Sequence, residues 1–174
     1  LAKENIKSIV VDVRNTSEGM VEYAAKVIDL FVPLATEGNK AIALAVNKKG
    51  DTVETFTSDA KDYAGQICVL VNQNTQGPAE LFACDLRDFD KAQLVGETTK
   101  GNGKRQQVFN LSDGGAIVLT TASILPYKSE SFDGVGVAPD VEAALTQEQL
   151  EQLEILPHDQ DTQLQKALEM LSGV

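Results

Sequence analysis

Few side chains in this sequence can do covalent or metal chemistry. The one histidine, His158, sits in a polar linker beside Pro157 and Asp159. No cluster of Cys or His surrounds it in the chain, so neither a metal site nor a Ser-His-Asp triad is expected on it. Cys68 falls in an apolar strand and Cys84 in the helix that follows. They read as buried thiols packing like small apolar residues, with a strand-to-helix disulfide as the alternative. Ser112 and Ser123 read as hairpin residues rather than nucleophiles. The loop Gly96-Glu97-Thr98-Thr99-Lys100-Gly101-Asn102-Gly103-Lys104 is rich in glycine and lysine. Its spacing does not fit the phosphate loop GxxxxGK[ST], and no suitable helix start follows. Asp12 and Arg14 share strand parity and are placed to pair, with satisfaction of each by nearby backbone as the alternative. No metal and no cofactor is expected.

One stretch has the form that positions chemistry in α/β enzymes. Ile67, Val69, Leu70 and Val71 form a short apolar run, as in a strand covered on both faces. Asn72-Gln73-Asn74-Thr75-Gln76-Gly77 is a polar turn. Pro78 suits a first helical turn, because its missing N–H would be unpaired there. Glu80 to Leu86 continues at helical spacing. A strand, tight turn and helix in that order present groups at the carboxyl end of a sheet. The stretch alone also suits an ordinary βα connection.

The 174 residues suit one domain with a sizeable core. A formal net charge of −11 argues against nucleic acid or an anionic membrane surface as partner. No apolar run approaches the length of a membrane helix, and no signal peptide is visible. The chain begins at Leu1 rather than Met, and is expected to be a piece of a longer protein.

Around that stretch the chain alternates. Ile6 to Val13 reads as a buried strand. Ser17 is placed as a helix cap, and Met20, Ala24, Val27, Ile28 and Phe31 recur at helical spacing until Pro33. Ile42, Leu44 and Val46 alternate as a half-buried strand, returning through Lys48-Lys49-Gly50-Asp51 as a hairpin with Val53 to Phe56. Gln93 to Val95 is a short strand. Gln106 to Leu111 and Ala116 to Ala122 form a second hairpin. Thr146 with Gln149 is a capping box. Leu164, Leu168 and Leu171 mark a last amphipathic helix at about 161–172. The pattern predicts an α/β fold with a mostly buried mixed sheet flanked by helices.

Taken together the pieces resemble the core domain of the carboxyl-terminal processing, or tail-specific, serine peptidases of family S41. Val10-Val11-Asp12-Val13-Arg14-Asn15, running to Gly19, resembles that family's aspartate–arginine–asparagine–glycine turn. Val71-Asn72 with Ala79-Glu80-Leu81 resembles the segment around its nucleophile. Val95-Gly96-Glu97 with Thr99, Gly101 and Gly103 resembles its lysine loop. Leu111-Ser112-Asp113-Gly114 and Leu119-Thr120-Thr121-Ala122 resemble the hairpin beyond, and Gly134 to Val141 the late glycine–proline–aspartate signature. The terminal Leu164-Gln165-Lys166-Ala167-Leu168 is also typical. The resemblance implies a ClpP/crotonase-like core, an upstream PDZ domain missing from this stretch, and action outside the cytoplasm, secreted or anchored at the bacterial cell surface. It implies protein or peptide C-terminal tails as partners. Oligomeric state stays open, a dimer included.

The family's chemistry is a Ser–Lys dyad with backbone N–H groups holding the oxyanion. Registered on Glu80, the serine position here is Gly77. The lysine position is Asn102, whose neutral amide accepts no proton at useful pH. The residue after the nucleophile is Pro78, which has no N–H to give. Glu18 replaces the first glycine of the pair that ends in Gly19, putting a carboxylate where an oxyanion would develop. Asp88 and Gln106 match positions that support the dyad; with no dyad to support, each is expected rather to be a polar residue holding a loop. Losing one oxyanion donor costs about 3 kcal/mol of transition-state stabilisation. Losing nucleophile and base costs about a millionfold in rate. The expectation is a family member without peptidase activity.

Thr75 and Lys100 keep the interval of Gly77 and Asn102, so an active peptidase with a displaced dyad is one alternative. It would shift the nucleophile by about 6–7 Å along an extended chain. A non-catalytic peptide-binding module is another, since strand addition to a sheet edge needs no serine. A crotonase-like thioester enzyme would need two oxyanion N–H donors, and Pro78 counts against it.

Overall fold

The computed structural model describes residues 6–33, 41–58 and 63–172. The mixed strand content is divided between two sheets. A parallel sheet has the order β1-β4-β5-β8, from β1 (Ser8–Asp12), β4 (Gln66–Val71), β5 (Ala92–Gly96) and β8 (Val141–Glu142). An antiparallel sheet has the order β3-β2-β7-β6, from β2 (Ala41–Val46), β3 (Thr52–Thr57), β6 (Lys104–Asn110) and β7 (Ala116–Pro126). Helices α1 (Val21–Ile28), α2 (Pro78–Asp88), α3 (Gln147–Glu151) and α4 (Thr162–Ser172) complete the α/β fold.

β4 lies between β1 and β5 and is covered on both faces, which is why its apolar run is continuous. Ile67, Val69 and Val71 join the core with α1, α2 and the antiparallel sheet. Cys68 and Leu70 face the other way, with Ala167 of α4 and Val95. Cys84 lies in the first cluster and Cys68 in the second, on opposite sides of the sheet. The disulfide alternative is therefore excluded, and both thiols are free. Burial pushes the Cys68 thiol up to about 11 and Cys84 up to about 12, so both stay protonated and inert.

Several local expectations shift. Ser17 does not cap α1; Met20 occupies the cap position with no side-chain bond. The buried stripe of that helix is Val21, Ala25 and Ile28, continuing to Val32, while Met20 and Val27 are exposed. The predicted stripe was rotated by one residue, a choice periodicity cannot make when both faces carry apolar groups. In β2 the buried residues are Ile42, Ala43 and Ala45, with Leu44 and Val46 only half-buried. In α4 the buried residues are Gln163 and Ala167 rather than the leucines, and Leu168 is exposed. The Thr146–Gln149 capping box is present. Among the described residues no helix is long and apolar enough to cross a membrane.

Candidate functional site

Three loops leave the carboxyl ends of β1, β4 and β5 and meet over the start of α2. The loop after β1 is tied to the loop after β4 by side-chain amides. Asn72 Oδ1 accepts the Asn15 N–H at 3.1 Å, and Asn72 Nδ2 donates to Asn15 Oδ1 at 2.9 Å. The loop after β5 is tied to α2 by Glu80. This carboxylate is fully buried and accepts the backbone N–H groups of Gly77 at 2.9 Å, Gly101 at 2.6 Å and Asn102 at 2.8 Å. The Thr99 hydroxyl also donates to it. A carboxylate in the first turn of a helix is further favoured by the helix dipole.

These ties bring six of the predicted positions to one cleft of about 290 Å³: Glu18, Gly19, Gly77, Pro78, Asn102 and Gln106. Gly77 has φ 62° and ψ −122°, a positive-φ turn at the mouth of a helix. Such a turn pushes a side chain out over the end of a sheet, the geometry of a nucleophile elbow. A Cβ placed there would have only the carbonyl oxygen of Asn102 within 4 Å, at 3.9 Å. The elbow is thus formed and roomy, and carries no side chain. The Gly77 N–H is used by Glu80, and Pro78 has none. A Cβ on Gly19 would lie 3.7 Å from Cγ of Pro78, so the proline ring faces the backbone of the early turn.

Other candidates lie elsewhere. Asp88 is at the far end of α2, about 16 Å along the axis from Gly77. It accepts the N–H groups of Lys128 and Ser129 and the Ser129 hydroxyl, and holds that loop. Thr75 is fully buried; its hydroxyl donates to the Val13 carbonyl at 2.9 Å and accepts the Asn72 N–H at 3.1 Å. The Lys100 side chain is exposed, and only its backbone N–H meets Thr75, at the carbonyl oxygen.

Glu80, a register mark in the sequence, also joins the loops, a role that the motif order did not disclose. A glutamate at the third position of a proline-started helix was the signal available. The expected pairing of Asp12 with Arg14 is present, but Asp161 and Gln163 join it from far along the chain, which the sequence did not signal. The Arg14 guanidinium reaches Asp12, Asp161 and Gln163, at 2.6 Å and 2.7 Å for the two carboxylates and 2.9 Å for the amide. Burial opposes the Arg14 charge, but the two carboxylates outweigh it and raise the guanidinium above its ordinary value.

The profile of peptidase family S41 matches residues 1–143. The chain is 31% identical over 174 residues to a carboxyl-terminal-processing protease of a Synechocystis species, covering 99% of this chain and 39% of that protein. It is 30% identical over 144 residues to carboxyl-terminal-processing peptidase 3, chloroplastic, of Arabidopsis thaliana, covering 82% of this chain and 27% of the relative. Among solved structures, a photosystem II D1 C-terminal processing protease superposes with a TM-score of 0.72 at 26% identity. That match covers 99% of this chain and 40% of the protease. The chain thus spans well under half the length of these relatives.

Proposed function

This chain belongs to peptidase family S41, and we propose that it holds protein C-terminal tails without cutting them. The observation that carries this reading is the empty elbow at Gly77, facing Asn102 across a formed cleft. On this reading the scaffold that would aim a serine at a lysine persists while both reactive groups are gone. Pro78 withholds the oxyanion donor, and Glu18 brings a carboxylate to the same cleft. Tail binding by main-chain pairing survives all four departures, because it needs a sheet edge and not a nucleophile. As the family resemblance implies, we place this activity outside the cytoplasm.

The geometry of Thr75 weighs against the displaced dyad. Its hydroxyl is buried and committed to Val13 and Asn72, and the Lys100 side chain lies outside that bond network. Purified protein is expected to leave a disordered casein substrate intact and to ignore a fluorophosphonate probe. Calorimetry is expected to show peptide binding without turnover. Cleavage abolished by Thr75→Ala or Lys100→Ala would instead establish the displaced dyad.

A further inference from the structure

The antiparallel sheet carries a second recess, distinct from the cleft. β7 is 11 residues long, but β2 pairs with it only from Ser123 to Pro126. From Ala116 to Ala122 it is laddered to β6 alone among the described residues. Its other edge there presents N–H and C=O groups without a strand partner among the described residues. Asn47, Lys48 and Lys49 of the β2–β3 turn and Thr120 to Ser123 of β7 line a groove of about 440 Å³ at this point.

The chemistry of the groove runs against the rest of the chain. Lys48, Lys49 and Lys104 line it together with Thr121 and Ser123, and no carboxylate is among the lining residues. The whole chain carries a net charge of −11. Lys104 is paired with Asp133, whereas the ammonium groups of Lys48 and Lys49 meet no carboxylate among the described residues. The Thr121 hydroxyl is buried with no hydrogen-bond partner among the described residues, a costly arrangement for a polar group. The strand beside the groove is apolar on both faces. Val118 is 56% exposed on one face, and Ile117 and Leu119 are 43% and 45% exposed on the other. A strand laid along β7 would set its alternate side chains beside both sets.

We propose that this groove seats the end of an extended apolar peptide tail, added as a strand to β7, with its terminal carboxylate at Lys48 and Lys49. With the carboxylate at the lysine end, the tail runs parallel to β7. The proposal rests on the tail-binding reading above and moves the recognition of the chain end out of the cleft.

The test is an NMR titration of the ¹⁵N-labelled protein with N-acetylated Ala-Val-Ala-Val-Ala-Ala as free acid, with its C-terminal amide, and with acetate. The free acid is expected to shift the amides of Lys48, Lys49 and Ala116 to Thr121. It should bind about fivefold tighter than the amide, as suits a carboxylate on exposed lysines. The pair Lys48→Ala and Lys49→Ala should bring the acid down to the amide's affinity while leaving the melting temperature unchanged. Equal affinity of acid and amide would overturn the proposal, as would acetate binding as tightly as the acid. Shifts confined to the cleft around Gly77 and Asn102 would overturn it and leave tail binding standing. No shifts with either peptide would overturn both.

Discussion

Gly77 faces Asn102 closely enough that a Cβ on the first would lie 3.9 Å from the carbonyl oxygen of the second. The distance is ordinary van der Waals contact, so a serine side chain fits. Its cost is conformational: φ 62° favours glycine, and a side chain there costs about 1–3 kcal/mol. On the proposed reading Gly77→Ser with Asn102→Lys should fold, melt somewhat lower, and still hydrolyse nothing measurable, because Pro78 gives no oxyanion donor. Adding Pro78→Ala restores that N–H. One such donor is worth about 10²–10³ in rate. The triple variant should therefore react with a fluorophosphonate at least about 100-fold faster than the double variant. Equal rates would show that the amide at position 78 is immaterial to this site.

Glu80 should be the most sensitive position of the cleft. Its carboxylate satisfies three backbone N–H groups and the Thr99 hydroxyl in a fully buried setting. Glu80→Ala leaves those donors without an acceptor, and each buried orphan costs about 1–3 kcal/mol. Urea unfolding is expected to show a loss of about 3 kcal/mol or more. Glu80→Gln keeps an acceptor but turns an NH₂ group toward N–H donors, so it should recover only part of the loss. A change below about 1 kcal/mol for the alanine variant would mean that the loops are held by something else.

What the sequence disclosed follows the range of its signals. β4 was legible because a strand covered on both faces must be apolar throughout, and Gly77-Pro78 punctuates the turn after it. The cleft positions followed from the order of motifs, since local turns fix which residues end together at the tips of β1, β4 and β5. The phase of α1 was not legible, because Met20, Val27 and Phe31 offer a second apolar stripe beside Val21, Ala25 and Ile28. Gln163 was invisible to hydropathy: a glutamine is fully buried only because Arg14 and the Ala143 carbonyl take its amide. Such partners lie 149 and 20 residues away, where periodicity carries no information.

Asp85 should make the protein weaker as pH rises. It is fully buried, and its Oδ1 accepts the Tyr127 N–H at 2.9 Å while Oδ2 has no partner among the described residues. Burial pushes its carboxyl well above the ordinary value, against the pull of the Tyr127 bond. The folded chain therefore holds this proton more tightly than the unfolded chain. The resulting stability is full below the unfolded carboxyl value, about 4, and is lost as pH rises through the folded value. Asp85→Asn keeps an acceptor for Tyr127 and cannot ionise. It should match the parent at pH 4 and be more stable at pH 8. Melting curves at the two pH values check this, and an equal difference at both would exclude ionisation of Asp85 as the cause.

Arg14 and Asp161 should act in the opposite sense and hold α4 to the parallel sheet. Their side chains are 4% and 5% exposed and meet at 2.7 Å. Asp161 also caps α4, accepting the Leu164 N–H at 3.0 Å. Burial alone would raise the Asp161 carboxyl, but the Arg14 guanidinium and the cap bond hold it below its ordinary value. That contribution is present above the unfolded carboxyl value and fades as pH falls through the folded one. Arg14→Ala leaves a buried carboxylate unpaired, a change that costs about 3–5 kcal/mol. At this chain length that is a fall of roughly 10 °C in melting temperature. Because α4 packs chiefly on β1, β4 and β5 of the parallel sheet, the damage should be regional. Hydrogen exchange is expected to speed up in α4 and on the Cys68–Leu70 face of β4, and much less in β2 and β3. Adding Asp161→Asn should recover part of the stability by removing the stranded charge. Additive losses in the double variant would show that the two residues do not act as a pair.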